Sequence, residues 1–192
     1  GAIAGYKLAA TTKALQEPNG VSEPCLGIML EDNIRRSPST LKASDFVQLG
    51  LECEVAVSLG IDLAPSGAPY DRGRVSEAVE SLSAAFEVID IRRTPDMDPK
   101  VQFITGVAAN VFNAGVVMGD PVSEWRNLDL QAAYGSMSIN GEMVGDGHGS
   151  DVMGHPLEPL AWLANKLAEQ GLGLTAGMVI ITGSIVSPKP VN

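Results

Sequence analysis

The sequence predicts an α+β fold, and three features carry that prediction. Residues 46–59 hold a long alternation, in which Leu51, Cys53, Val55, Val57 and Leu59 interleave with Glu52, Glu54, Ala56 and Ser58, the two-residue period of a strand. Asn140-Gly141, set between the stretches 137–139 and 142–144, is the dipeptide that favours a two-residue hairpin turn. Helical periodicity is confined to a few segments that do not alternate regularly with strands, which argues against a βαβ order.

Taken in order, residues 13–16 read as the end of a short helix. The strand at 46–59 follows. Residues 74–85 carry Val75, Ala78, Val79 and Leu82 at helical spacing and predict a helix. A second strand, 86–92, comes directly after it. Residues 106–119 fit helix and strand equally badly. The hairpin at 137–144 precedes a helix at 157–170, where Leu160, Leu163, Ala164 and Leu167 form one stripe, Pro156 suits the first turn and Gly171 the C-terminal cap. Residues 179–182 read as a short buried strand. Turn clusters, among them 65–73 and 94–99, punctuate the chain, and none is long enough to be a linker between domains.

Composition narrows the function. The chain has 192 residues, with 13 Lys+Arg against 23 Asp+Glu and a formal charge of -10. A chain of this size buries roughly 70% of its unfolded surface, enough for one core, so a single domain spanning 1–192 is expected. The acidic excess lacks the footprint of a nucleic-acid binder. No run of about 18 apolar residues is present, so no membrane-spanning helix is expected. Cys25 and Cys53 form no CxxC pair, which argues against a zinc site or a disulfide framework. Cys53 reads as a small core residue, and the compartment as a reducing cytoplasm.

Glu52 and Glu54 are the central observation. At i and i+2 they share one face of their strand, with Cα atoms about 6.6 Å apart. The opposite, apolar face is expected to meet the core. On alternation alone the pair could line a solvated face. However, no Lys or Arg alternates with them, and adjacent like charges repel. A divalent cation would remove that repulsion. Glu87, among Phe86, Val88 and Ile89, is the candidate third acid, although Asp90 and Arg92 leave a local ion pair equally open. Lys7, in Gly5-Tyr6-Lys7-Leu8-Ala9-Ala10, is either a partly buried amine with a lowered pKa or a lysine that snorkels to the surface. His148 and His155 lack HExxH spacing; His155, before Pro156, suits a turn or helix start.

These segments together resemble the fumarylacetoacetate hydrolase superfamily, in its hydratase/decarboxylase branch. The matching stretches are GYKLAATTKALQ (5–16), GLECEVAVSLGIDL (50–63), AAFEVIDIR (84–92), VAANVFNAGVVMGDPV (107–122), INGEMVGDG (139–147), GHPLEPLAWLANKL (154–167) and GLTAGMVIITGS (173–184). The resemblance implies a mixed β-roll or distorted β-barrel with peripheral helices. It also implies that the chain is the catalytic core, without the family's helical N-terminal region and last strands. It places a Mg2+ or Mn2+ ligand set at Glu52, Glu54 and Glu87, a catalytic lysine at Lys7, and substrate contacts at Asn110, Thr182 and Ser184. Two positions depart from the family pattern. Pro24-Cys25-Leu26-Gly27 replaces P-D-F-G, and Ala109 replaces the Asp of A-D-N.

The activity so implied is a metal-dependent lyase of 2-keto-4-pentenoate hydratase type. Its substrate would be a small anionic 2-hydroxy-dienoate or 2-oxo acid, in aromatic-compound catabolism, with the protein a cytoplasmic homo-oligomer. A metal ion and Lys7 would offset the repulsion of an anionic substrate by an acidic protein, and the ion would act as a Lewis acid on the enolate. Alternatives on the same scaffold are an acylpyruvate C–C hydrolase and a 2-oxo acid decarboxylase. A non-catalytic family member is a third, motivated by Cys25 and Ala109.

Overall fold

The computed structural model describes residues 1–94 and 96–191. Pro95, within the turn cluster predicted at 94–99, and Asn192, the last residue of the predicted domain, lie outside them. Nine strands and four α-helices are found among the described residues. In chain order they are β1 (Ile3–Ala9), α1 (Lys13–Asn19), β2 (Cys25–Leu30), β3 (Ile34–Arg36), β4 (Leu49–Leu59), α2 (Arg72–Ala78), β5 (Val79–Asp90), α3 (Pro99–Ala108), β6 (Asn113–Met118), β7 (Tyr134–Ile139), β8 (Glu142–His148), α4 (Glu158–Ala168) and β9 (Val179–Pro190). Seven strands form a mixed, curled half-barrel sheet in the order β2-β1-β9-β4-β5-β6-β3, and β7-β8 form a separate hairpin. The α+β class and the roll-like sheet with peripheral helices are thus as expected. No described helix is long and apolar enough to cross a membrane.

β4 runs antiparallel to both β5 and β9, and β1 runs parallel to β9. Alternation then sorts side chains onto two faces. Leu8, Val57, Leu82 and Ile180 point to one face, where α4 lays down Leu160, Leu163 and Leu167 and α2 adds Val75. Burying four such leucine and valine side chains contributes on the order of 1.5–3 kcal/mol each. The other face carries a smaller cluster of Met29, Ala56, Ala85, Val116, Met118 and Ile181. Lys7 and the glutamates of β4 and β5 belong to this second face, because they alternate with residues of the first.

Several sequence expectations are corrected. The helix predicted at 74–85 ends at Ala78, and Val79 and Leu82 belong to the 12-residue strand β5. A short amphipathic run cannot distinguish one helical face from a strand buried on both sides. The ambiguous stretch 106–119 is a junction, the end of α3 followed by β6. Residues 179–182 are only the start of a 12-residue strand. Pro159, not Pro156, sits in the first turn of α4. Cys53 is half-buried rather than in the core. In the hairpin, Asn140 (φ 53°) and Gly141 (φ 84°) both take left-handed backbone, as a type I′ turn requires.

Candidate metal centre

The register of the sheet assembles the acidic cluster. Glu52 pairs directly with Glu87 across β4 and β5, so both side chains leave the same face. Glu54 follows two residues along β4 and pairs with Ser184 on β9. One carboxylate oxygen from each glutamate lies within 4.8 Å of the other two. The apolar face of β4 meets the core as expected, with Val57 and Leu59 fully buried, but the acidic face is covered as well. Glu54 is 1% exposed and Glu87 0%, whereas Leu51 and Val55 are half-buried.

Lys7 reaches the cluster from β1, and its Nζ lies 3.0 Å from Glu87 Oε1. It is paired with Gly27 on β2, where a Cβ would fall 2.6 Å from Asn110 Oδ1 and 3.1 Å from Lys7 Cγ. A glycine is therefore what makes room for the lysine stem. Asn113 Nδ2 donates to the same Glu87 oxygen at 2.8 Å, and the Gly183 N–H donates to Glu54 Oε2 at 2.7 Å. Asp90, not Glu87, takes the local arginine, with Arg92 Nε at 2.8 Å.

With all three carboxylates ionised against one ammonium, the site would carry two uncompensated negative charges. Glu54 Oε1 and Glu87 Oε2 are buried without a hydrogen-bond donor. Orphaned acceptors of this kind cost free energy unless a ligand satisfies them. An all-oxygen donor set with two surplus charges fits a hard divalent cation. Glu52, Glu54 and Glu87 are the residues that could hold it.

Burial first, and then the charge of Glu87, push the Glu52 carboxyl up to about 7 despite the opposing pull of Lys7. The same two causes hold Glu54 well above the usual carboxylate range. Burial would lower Lys7, but the charges of Glu87, Glu52 and Glu54 outweigh it, and its pKa is raised. The lowered lysine pKa expected from its apolar neighbours is therefore wrong, because sequence neighbours did not reveal the three acids across the sheet.

A pH prediction follows. In the cation-free protein Glu52 binds a proton more tightly when folded than when unfolded. The resulting stability is complete below the unfolded carboxylate value and is lost as pH rises through about 7. The Tm of chelated protein should fall from about pH 5 to about pH 8, and Mg2+ should restore it at the higher pH. Calorimetry in two buffers of different ionisation enthalpy should show roughly one or more protons released on Mg2+ binding near neutrality. Flat Tm and no proton release would contradict this protonation scheme.

The remaining expected site residues are placed unevenly. Ser184 lies beside Glu54 in the ladder, and its hydroxyl donates to the Val186 carbonyl. Thr182 is fully buried and donates to the Val55 carbonyl. Asn110 has both amide groups engaged by the backbone of Ile28, at 2.8 and 2.9 Å. It therefore clamps β2 beside Lys7. It sits in a run with Val111 and Phe112 of positive φ, from 52° to 60°, a strained conformation for such residues. Asn113 and Gly183 were missed. Asn113 lay in a segment of unclear period, and Gly183 (φ 117°) acts through its backbone, which no side-chain pattern reveals. His155 behaves as expected at a helix start, its Nδ1 accepting from the Leu157 N–H at 3.1 Å.

The family model for the fumarylacetoacetate (FAA) hydrolase C-terminal region matches residues 8–191. The chain belongs to the fumarylacetoacetate hydrolase family. Among its family relatives, the 2-hydroxyhexa-2,4-dienoate hydratase of Comamonas testosteroni is 35% identical over 190 residues, covering 98% of this chain and 70% of that protein. The 2-oxo-hept-4-ene-1,7-dioate hydratase of Escherichia coli is 33% identical over 98% of this chain and 71% of its own length. Within the same family, the solved 4-oxalocrotonate decarboxylase from Pseudomonas putida G7, complexed with magnesium and adipate, superposes with a TM-score of 0.89 at 32% identity, covering all of this chain and 71% of that one.

Proposed function

We propose that this fumarylacetoacetate hydrolase family member is a divalent-metal-dependent hydro-lyase that adds water to a small 2-hydroxy-dienoate in aromatic-compound catabolism. The observation that carries the reading is the cluster of three glutamates, two of them fully buried, with a lysine in direct contact, Lys7 Nζ to Glu87 Oε1. The names of the hydratase relatives supply the substrate class.

A Mg2+ or Mn2+ ion held by Glu52, Glu54 and Glu87 would supply Lewis acidity to the oxygens of a 2-oxo acid. The chain's own residues do the rest. Lys7 is an ammonium at neutral pH. It therefore offers positive charge to the substrate carboxylate and a proton to the far carbon of the dienol. Net hydration then places a proton on that carbon, the hydroxyl of water on its neighbour and the proton of water on the next carbon, while the enol O–H gives up its proton to restore the lysine as the 2-oxo group forms. Ser184, beside Glu54 on β9, is the substrate contact of this reading, whereas the Thr182 hydroxyl is taken by the Val55 carbonyl and Asn110 positions β2 against Lys7. The small 2-oxo acid is the partner of this site, and a homo-oligomer is proposed, to be read by sedimentation.

The match to the decarboxylase fold favours one second reading, loss of CO2 from a 2-oxo-enedioate on the same scaffold. One Mg2+-loaded sample should be assayed with a 2-hydroxy-2,4-dienoate, a 2-oxo-enedioate and an acylpyruvate. Consumption of the dienoate with formation of a 4-hydroxy-2-oxo acid is the expected result. CO2 release alone would make it a decarboxylase, cleavage of the acylpyruvate alone a C–C hydrolase, and inertness toward all three a binding protein.

A further inference from the structure

On the opposite face of the sheet from the glutamates lies a cavity of about 290 Å³ whose lining mixes leucines with side-chain N–H donors. Arg72, Arg126, His155 and Trp125 line it, over an apolar floor of Leu130 and Leu157. No acidic side chain lines it among the described residues. In a chain of charge -10, a small cavity walled by two guanidiniums, an imidazole and an indole runs against the average surface.

Three of these four donors, all but Arg72, are held in place. Arg126 Nη2 is fixed by the carbonyls of Ser76 and Val79, at 3.2 and 3.1 Å, and its guanidinium stacks 4.6 Å over the Trp125 ring. That leaves its Nη1 and Nε groups unassigned. Arg72 meets Glu158 at 3.3 Å in an exposed pair of the kind that contributes little. His155 Nδ1 accepts from Leu157, so the neutral ring carries its proton on Nε2 and is a donor. Trp125 is 5% exposed, and its Nε1–H is buried with no acceptor. A buried donor without a partner calls for an explanation.

We propose that this cavity is a binding site for a small oxyanion, a carboxylate or phosphate group, separate from the metal centre. Oxyanions accept several charge-assisted hydrogen bonds, and planar guanidiniums suit them best.

The test uses the full chain in chelator, with phosphate, sulfate and succinate as probes. Trp125 and Trp162 give two indole N–H signals by NMR, and Trp125→Phe assigns them. A saturable shift of the Trp125 indole is expected. Arg126→Gln should weaken binding on the order of tenfold or more. Arg72→Gln, on a half-exposed side chain, asks the same question should the Arg126 variant fail to fold. The relative affinities of phosphate and succinate decide between the two anion classes. The Glu52→Gln/Glu54→Gln variant should bind the probes unchanged. The proposal is overturned by no saturable shift with any probe, by binding that survives both arginine substitutions, or by binding lost with the glutamates. An indole signal that moves with protein concentration alone would also overturn it, since a second copy would then cover the cavity.

Discussion

Glu52→Gln combined with Glu54→Gln should abolish Mg2+ binding while raising the stability of the cation-free protein above about pH 7, where Glu52 is ionised. The two halves of this result have one cause. Glu54 is fully and Glu52 partly buried beside Glu87, and the strand register holds Glu52 and Glu87 directly opposite. Without a cation that arrangement is repulsive, and replacing buried charges by neutral groups of the same shape removes the repulsion. Glutamine keeps an oxygen able to accept the Gly183 N–H that now serves Glu54, so the local backbone has no reason to move. Metal affinity should fall more than about a hundredfold, because even an outer-shell partner is worth roughly 10- to 100-fold. Turnover should drop by at least about 10²–10³, the cost of losing a single preorganised electrostatic contact. Calorimetry with Mg2+ and thermal melts in chelator read both halves. Unchanged Mg2+ affinity would remove the metal assignment. A lower cation-free Tm would show instead that the glutamates are structural in their ionised form.

The acids of this site were legible in the sequence because a strand is a two-residue code. Glu52 and Glu54 share a face wherever the strand goes, and the apolar alternation around them made the strand certain. What the code could not give is that the acidic face is covered as well as the apolar one. That depends on neighbours such as Ala56, Ala85 and Met118, brought together by a sheet order, β9-β4-β5, that no local pattern specifies. Glu87 was visible as a charge in an apolar strand, but its partner was not. Arg92 is close in sequence, yet Asp90 captures it, and Glu87 pairs with Lys7 eighty positions away. The error in the lysine pKa has the same origin. Local neighbours predict desolvation, whereas the deciding term comes from long-range charges. Helix α2 was overrun because Val79 and Leu82 satisfy helical and strand spacing alike, and only the pairing of β5 with β4 decides between them. Resemblance to the family carried the ordered motifs, and hence the curled sheet, further than periodicity could.

Lys7→Met separates the roles that Lys7 could play. Methionine keeps much of the unbranched stem that threads past Gly27 and Asn110, and deletes the charge. The structural consequence comes first. Glu87 loses its 3.0 Å partner and retains only the Asn113 amide, so a cation-free variant should be destabilised by about 3–5 kcal/mol, as expected when one member of a buried pair is removed. Mg2+ should reverse that loss, and should bind at least as tightly as in the unaltered protein, because a competing positive charge beside the triad is gone. Catalysis should then respond in one of two ways. If Lys7 donates a proton, kcat falls by roughly 10²–10⁴ with little change in KM, and the high-pH limb of the rate profile, set by the raised lysine pKa, disappears. If Lys7 only holds the substrate carboxylate, KM rises and kcat stays. Assays at saturating Mg2+ across the pH range distinguish the two, and full activity of Lys7→Met on both parameters would exclude Lys7 from the reaction.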